Sequence, residues 1–122
     1  MKDYIERVIR TEGPGQYDGM SRRLDSLEVK RVLHASLGIT TEAAEISDIV
    51  KKFLMYGKGH LFDERIQEEI GDLLWYIAIL CDVSGLSIEN VMKWNIEKLE
   101  KRYPNGFSEE SAVNRMDKNN GK

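Results

Sequence analysis

Two pairs of acidic residues stand out for what their spacing can do: Glu42-x-x-Glu45 and Glu69-x-x-Asp72. Each helical residue advances about 100°, so a spacing of three leaves two side chains roughly 60° apart on one face. Each pair can therefore present two carboxylates to one point. The 23 residues between Glu45 and Glu69 contain the rest of one helical pattern, a Gly-rich turn and the start of the next. Antiparallel packing through that turn brings the pairs face to face. Four converging carboxylates repel one another or take up protons unless cations neutralise them. Oxygen-only donors select hard divalent ions, Mg²⁺ or its substitute Mn²⁺. Mg²⁺ keeps waters and takes further ligands from phosphates, which points to a substrate carrying a di- or triphosphate.

A single ExxE is most often a solvated helix face. Here the surroundings argue otherwise, because Glu42 and Glu45 bracket Ala43 and Ala44 and precede Ile46, while Asp72 opens the uncharged run Leu73 to Cys81. A carboxylate among apolar neighbours is costly without a partner. Asp48 lies about 120° from Glu42 and is expected behind the ligands or on the surface. A di-iron bundle would need Glu-x-x-His pairs. Arg31 precedes His34 at that spacing and Gly57 precedes His60, so the ligands for it are missing. His34 is expected to pack in the helix interface and His60 to lie in the turn. Lys51 and Lys52, one to two turns beyond Glu45, are candidates for phosphate oxygens, as is the polar stripe Asn95, Lys98 and Arg102. Trp75 and Tyr76, one turn after Asp72, are placed either to stack on a base or to pack in the core.

The elements that position these groups are helices. Asp3 to Thr11 carries Tyr4, Ile5, Val8 and Ile9 at helical spacing, and Glu12 to Gly19 reads as a Gly/Pro loop. From about Asp25 to Tyr56 the apolar residues keep returning to one broad face. Gly38 interrupts that pattern, either permitting close backbone packing or dividing it into two helices. Gly57-Lys58-Gly59 ends it. Asp63 is the expected cap of a helix running to about Ser84. Its second half, Leu73 to Cys81, is apolar on all sides and must be covered on all sides, which suggests contact with a second subunit. Gly85 closes it. Ser87 caps the last helix, with Leu86 and Val91 as a hydrophobic staple, and Pro104-Asn105-Gly106 stops it after Tyr103. The expected fold is all-α: a bundle of about four main helices with a short N-terminal one, completed by oligomerisation. Residues 1–107 form one domain, and 108–122 read as a polar tail.

Composition narrows the classes further. In 122 residues, 18 Lys and Arg face 21 Asp and Glu, a net charge of -3 that argues against a nucleic-acid binder. One Cys rules out a disulfide framework or thiolate zinc cluster. No apolar run approaches a membrane span and no signal peptide is visible, so a cytoplasmic protein is expected.

The motifs Thr41-Glu42-Ala43-Ala44-Glu45 and Glu68-Glu69-Ile70-Gly71-Asp72-Leu73-Leu74-Trp75-Tyr76 resemble those of the MazG-like family of all-α nucleoside triphosphate pyrophosphohydrolases. The similarity extends into the ending from Asn95 to Phe107, which reads NxxKLxxRYPxGF and looks like that of the compact bacterial and phage members. The resemblance implies hydrolysis between the α- and β-phosphates, giving a nucleoside monophosphate and pyrophosphate. It implies Mg²⁺ held by Glu42, Glu45, Glu69 and Asp72, and a homodimer or homotetramer. It also implies nucleotide contacts from Asn95 and Lys98, and a base or sugar contact from Tyr76. Some members carry a further Glu where Thr41 stands here, and residues before 30 match no motif. Glu42 and Glu45 are the expected catalytic carboxylates, with Glu45 as general base. The alternatives are a dUTP/dCTP-specific or phosphoribosyl-ATP hydrolase on the same scaffold, or a non-catalytic dimeric helical regulator.

Overall fold

The structure, a computed structural model, describes residues 2–13, 15–61, 64–115 and 118. These form an all-α protein of six helices and no strand: α1 (Lys2–Ile9), α2 (Met20–Leu24), α3 (Leu27–Tyr56), α4 (Glu64–Val83), α5 (Ile88–Arg102) and α6 (Glu109–Asn114). Each helix end reflects local chemistry. Ser26 accepts the Val29 amide (3.4 Å) to start α3, and Ser87 accepts that of Asn90 (3.3 Å) to start α5. Gly57 and Gly85, at φ 61° and 65°, end α3 and α4 in the left-handed region that costs glycine little. The expected cap Asp63 lies outside the described residues. Two short helices go beyond the sequence reading. One is α2, which separates the N-terminal loop from α3, so that α3 begins at Leu27 rather than Asp25. The other is α6, whose cap Ser108 accepts the Ser111 amide (3.1 Å) within what reads as a tail.

The main packing is an antiparallel hairpin of α3 and α4, with α2 leaning on the start of α3. Residues that rise along α3 face residues that fall along α4. Arg31 pairs with Asp82 at 2.5 Å, Gly38 lies under Tyr76, and Glu42 meets Glu69 and Asp72. The buried residues Ala35, Gly38 and Ile49 follow the three- and four-residue spacing of a helix–helix seam. Glu42 occupies the same stripe. On α4, Ile66, Glu69, Leu73, Tyr76 and Leu80 repeat that spacing and are half-buried. Acids therefore stand at seam positions where apolar side chains usually go.

Gly38 does not divide α3. The thirty-residue helix runs through it unbroken, and its role is close approach. A Cβ built there would lie 2.2 Å from a ring carbon of Tyr76, so no other residue fits without moving the ring. Gly38→Ala adds about 1 kcal/mol of helix propensity but forces an overpacking cost of about 1–3 kcal/mol at the seam. The single substitution is expected to lower the melting temperature. In a Tyr76→Ala background the same change should raise it, a reversal of sign readable by circular dichroism melting.

Candidate metal centre

The α3–α4 seam carries Glu42 from one helix and Glu69 and Asp72 from the other. One carboxylate oxygen from each lies within 4.8 Å of the other two. Glu42 and Glu69 are half-buried, while Asp72 opens to solvent. The Glu69 carboxyl is pushed above its ordinary range, first by burial, then by the charges of Glu42, Glu45 and Glu68 and a hydrogen bond with Glu42. Charge is thus crowded here beyond what solvent relieves. The donor set fits a hard divalent cation. Mg²⁺ holds oxygens at about 2.0–2.1 Å, so its ligand oxygens lie roughly 3–4 Å apart, reachable from this spacing by small rotations. Glu45, expected as a fourth ligand, lies outside this trio. It is exposed one turn further along α3 and acts on Glu69 through its charge.

Other expected site residues fall in three places. Lys51 and Lys52 both engage Asp48, the Lys52 ammonium at 2.5 Å. Hydrogen bonds from Lys51 and then Lys52 hold the Asp48 carboxyl down to about 2, and Asp48 in turn raises Lys51. The two lysines are therefore partnered, and Asp48 organises them. The signal was in the sequence, since Asp48 stands three and four residues before them. Tyr76 belongs to an aromatic group with Trp75 and His34 beside the carboxylates. His34 sits at the exposed rim of the helix interface, edge-on to Trp75 and Tyr76 of α4, while Ala35 takes the buried seam position of that turn; His60 lies exposed in the turn after α3.

Asn95, Lys98 and Arg102 do line α5. Lys98 donates to Asn95 at 2.6 Å and lies 5.2 Å above Trp94, and Arg102 stands over Tyr103. Among the described residues, neither Asn95 nor Lys98 meets the carboxylate trio of its own chain. Asp72 lies about 16 Å along α4 from Val83. There α5 departs at 99°, carrying Asn95 about 10 Å further from the corner. Spacing within each helix was readable in advance; the angle between α4 and α5 was not.

Comparison with known proteins agrees with this geometry. Residues 32–107 match the MazG nucleotide pyrophosphohydrolase domain. The chain belongs to the MazG family. It is 31% identical over 94 residues to the gene 37 protein of Mycobacterium phage L5, spanning 75% of this chain and 82% of that one. A shorter stretch of 40 residues is 50% identical to the uncharacterized protein YvdC of Bacillus subtilis (strain 168), covering 33% of this chain and 38% of that protein. No solved structure matches the chain significantly.

The carboxylate trio makes a binding prediction independent of catalysis. Mg²⁺ at a hundredfold excess over its Kd is expected to stabilise the protein by about 3 kcal/mol. Glu42→Gln and Asp72→Asn should abolish that thermal shift, and Glu45→Gln should retain most of it. A full shift in Asp72→Asn would rule out this ligand set.

Proposed function

We propose that this protein is a Mg²⁺-dependent nucleoside triphosphate pyrophosphohydrolase, releasing a nucleoside monophosphate and pyrophosphate. The observation that carries the reading is the convergence of Glu42, Glu69 and Asp72 in the seam of a MazG-family hairpin. These three residues would hold the ion, which supplies positive charge beside the phosphates and makes water a stronger acid. Glu45, outside the trio and open to solvent, accepts the proton of the attacking water. Lys51 and Lys52 exchange Asp48 for phosphate oxygens as negative charge shifts towards pyrophosphate.

The reading requires a second copy of the chain. Asn95 and Lys98 lie too far from the carboxylates of their own subunit, so a homodimer or homotetramer brings α5 of one copy to the hairpin of another. Exposed apolar surface supports this. Leu74 and Trp75 are about half exposed beside the site, and a hollow of about 440 Å³ lined by Leu86, Val91 and Trp94 opens on α5. Among the described residues no single helix is long and apolar enough to cross a membrane. The net charge of -3 favours an enzyme acting on free nucleotides rather than on nucleic acid, and we place it in the cytoplasm, where such nucleotides are found.

The primary test is a panel of ribo- and deoxynucleoside triphosphates, including dUTP and dCTP, together with phosphoribosyl-ATP, incubated with Mg²⁺ and resolved into monophosphate and pyrophosphate. Glu42→Gln and Asp72→Asn should each lose roughly a thousandfold in rate, the several kcal/mol that an ion at the phosphates contributes. Absence of pyrophosphate from every nucleotide would favour the non-catalytic regulator. The shared site has its own test. Inactive Asp72→Asn and Lys98→Ala chains, co-expressed, should recover about a quarter of wild-type activity in a two-fold dimer, because half the dimers carry one intact site. No recovery would place both residues in one subunit's site.

A further inference from the structure

Beside the carboxylates stands an aromatic group with an open side. Trp75 and Tyr76 are 4.9 Å apart at 80°, His34 and Tyr76 5.5 Å apart at 88°, and His34 and Trp75 6.2 Å apart at 78°. All three contacts are edge-to-face, so the rings form a corner rather than a closed stack. Tyr76 is set down against Gly38, which fixes the depth of the corner. Trp75 remains 55% exposed and His34 is exposed. The ring nitrogens of His34 and Trp75 and the Tyr76 hydroxyl make no hydrogen bond among the described residues.

The corner lies along the same seam as the acids. Tyr76 follows Asp72 by one turn, about 6 Å, and His34 precedes Glu42 by two turns, about 12 Å. With the phosphates at the carboxylates, a pentose spans the first turn and the base arrives at the corner. Trp75 offers it a flat face. A neutral imidazole carries one donor and one acceptor and can read a base edge, whereas an apolar wall could only sort by size.

Resting on the pyrophosphohydrolase reading, we propose that His34 sets the base preference of this enzyme by hydrogen-bonding the edge of a nucleobase seated against Trp75, with Gly38 and Tyr76 fixing the depth of that seat. His34 is exposed, so its replacement does not open a cavity, and its effect on folding is separable from its effect on selectivity.

The test compares kcat/KM for pyrophosphate release from the eight common ribo- and deoxynucleoside triphosphates by wild type, His34→Ala and His34→Gln, with oligomer mass measured by light scattering. In His34→Ala the spread between the best and worst base should narrow about tenfold, the usual worth of one hydrogen bond. His34→Gln, which keeps a donor and an acceptor, should recover part of it. Equal loss on every nucleotide, an unchanged spread, or a change in oligomer mass would overturn the proposal while leaving the pyrophosphohydrolase reading intact. A wild-type protein that releases no pyrophosphate from any nucleotide would overturn both.

Discussion

The close approach of α3 to α4 governs both the packing and the chemistry of this chain. The Gly38 backbone lies under the Tyr76 ring, and the absence of a Cβ lets the two helices meet closely enough to bury Ala35 and Ile49 along the same stripe. The stripe that holds the helices together also carries Glu42, facing Glu69 and Asp72. Packing draws the helices together while carboxylate repulsion opposes it; the Glu69 carboxyl is raised first by burial and then by the charges of Glu42, Glu45 and Glu68. Apolar residues at those positions would remove the repulsion and add buried surface. Retaining acids in a seam is the usual mark of a site kept for function at the expense of stability.

The hairpin is also an incomplete core. Among the described residues only Ala35, Gly38 and Ile49 are buried, and a thirty-residue α3 reaches about 45 Å with little else laid along it. A chain of this size normally buries roughly two-thirds of its unfolded surface. The uncovered apolar residues of α4 and α5 and the distant Asn95–Lys98 stripe raise the same geometrical problem. The second copy proposed above would answer both, covering the surface with its α5 and bringing Lys98 to the site.

Much of this was readable from residue spacing because helical geometry converts spacing directly into faces. The two acidic pairs, the Gly57 and Gly85 stops and the Ser87 cap all follow from one-dimensional rules, whereas Gly38 reads equally as close packing or a helix break until its contact with Tyr76 decides between them. What spacing does not carry is the direction a helix takes after a turn. Ser84 to Ser87 announce an end and a beginning, but the 99° departure of α5 depends on backbone angles in that turn. Short helices were missed for a different reason. The five residues of α2 and six of α6 have too few turns to show an apolar period, although Ser108 with Glu109 and Glu110 carries the chemistry of a helix start. Glu45 shows the limit of counting within a helix. Residues 60° apart share a face, yet Glu42 lies in the close trio with Glu69 and Asp72 while Glu45 acts on Glu69 through its charge.

Charge here is a local property, and the chain's net value of -3 describes none of its parts well. Around the half-buried Glu69 the charges of Glu42, Glu45 and Glu68 crowd together, while a turn or two along α3 a single Asp48 holds two ammoniums. With its carboxyl held to about 2, Asp48 remains ionised across the neutral range, so Lys51 and Lys52 are occupied before any phosphate arrives. An incoming polyphosphate therefore competes with a carboxylate for those lysines and meets the greatest negative crowding at the trio. Lysines alone do not resolve that conflict, because they stand beyond Glu45 and already have a partner. On the proposed pyrophosphohydrolase reading, positive charge would have to enter between the carboxylates themselves. A divalent cation there, rather than the basic residues of α3, would then be the element on which phosphate binding at this seam depends.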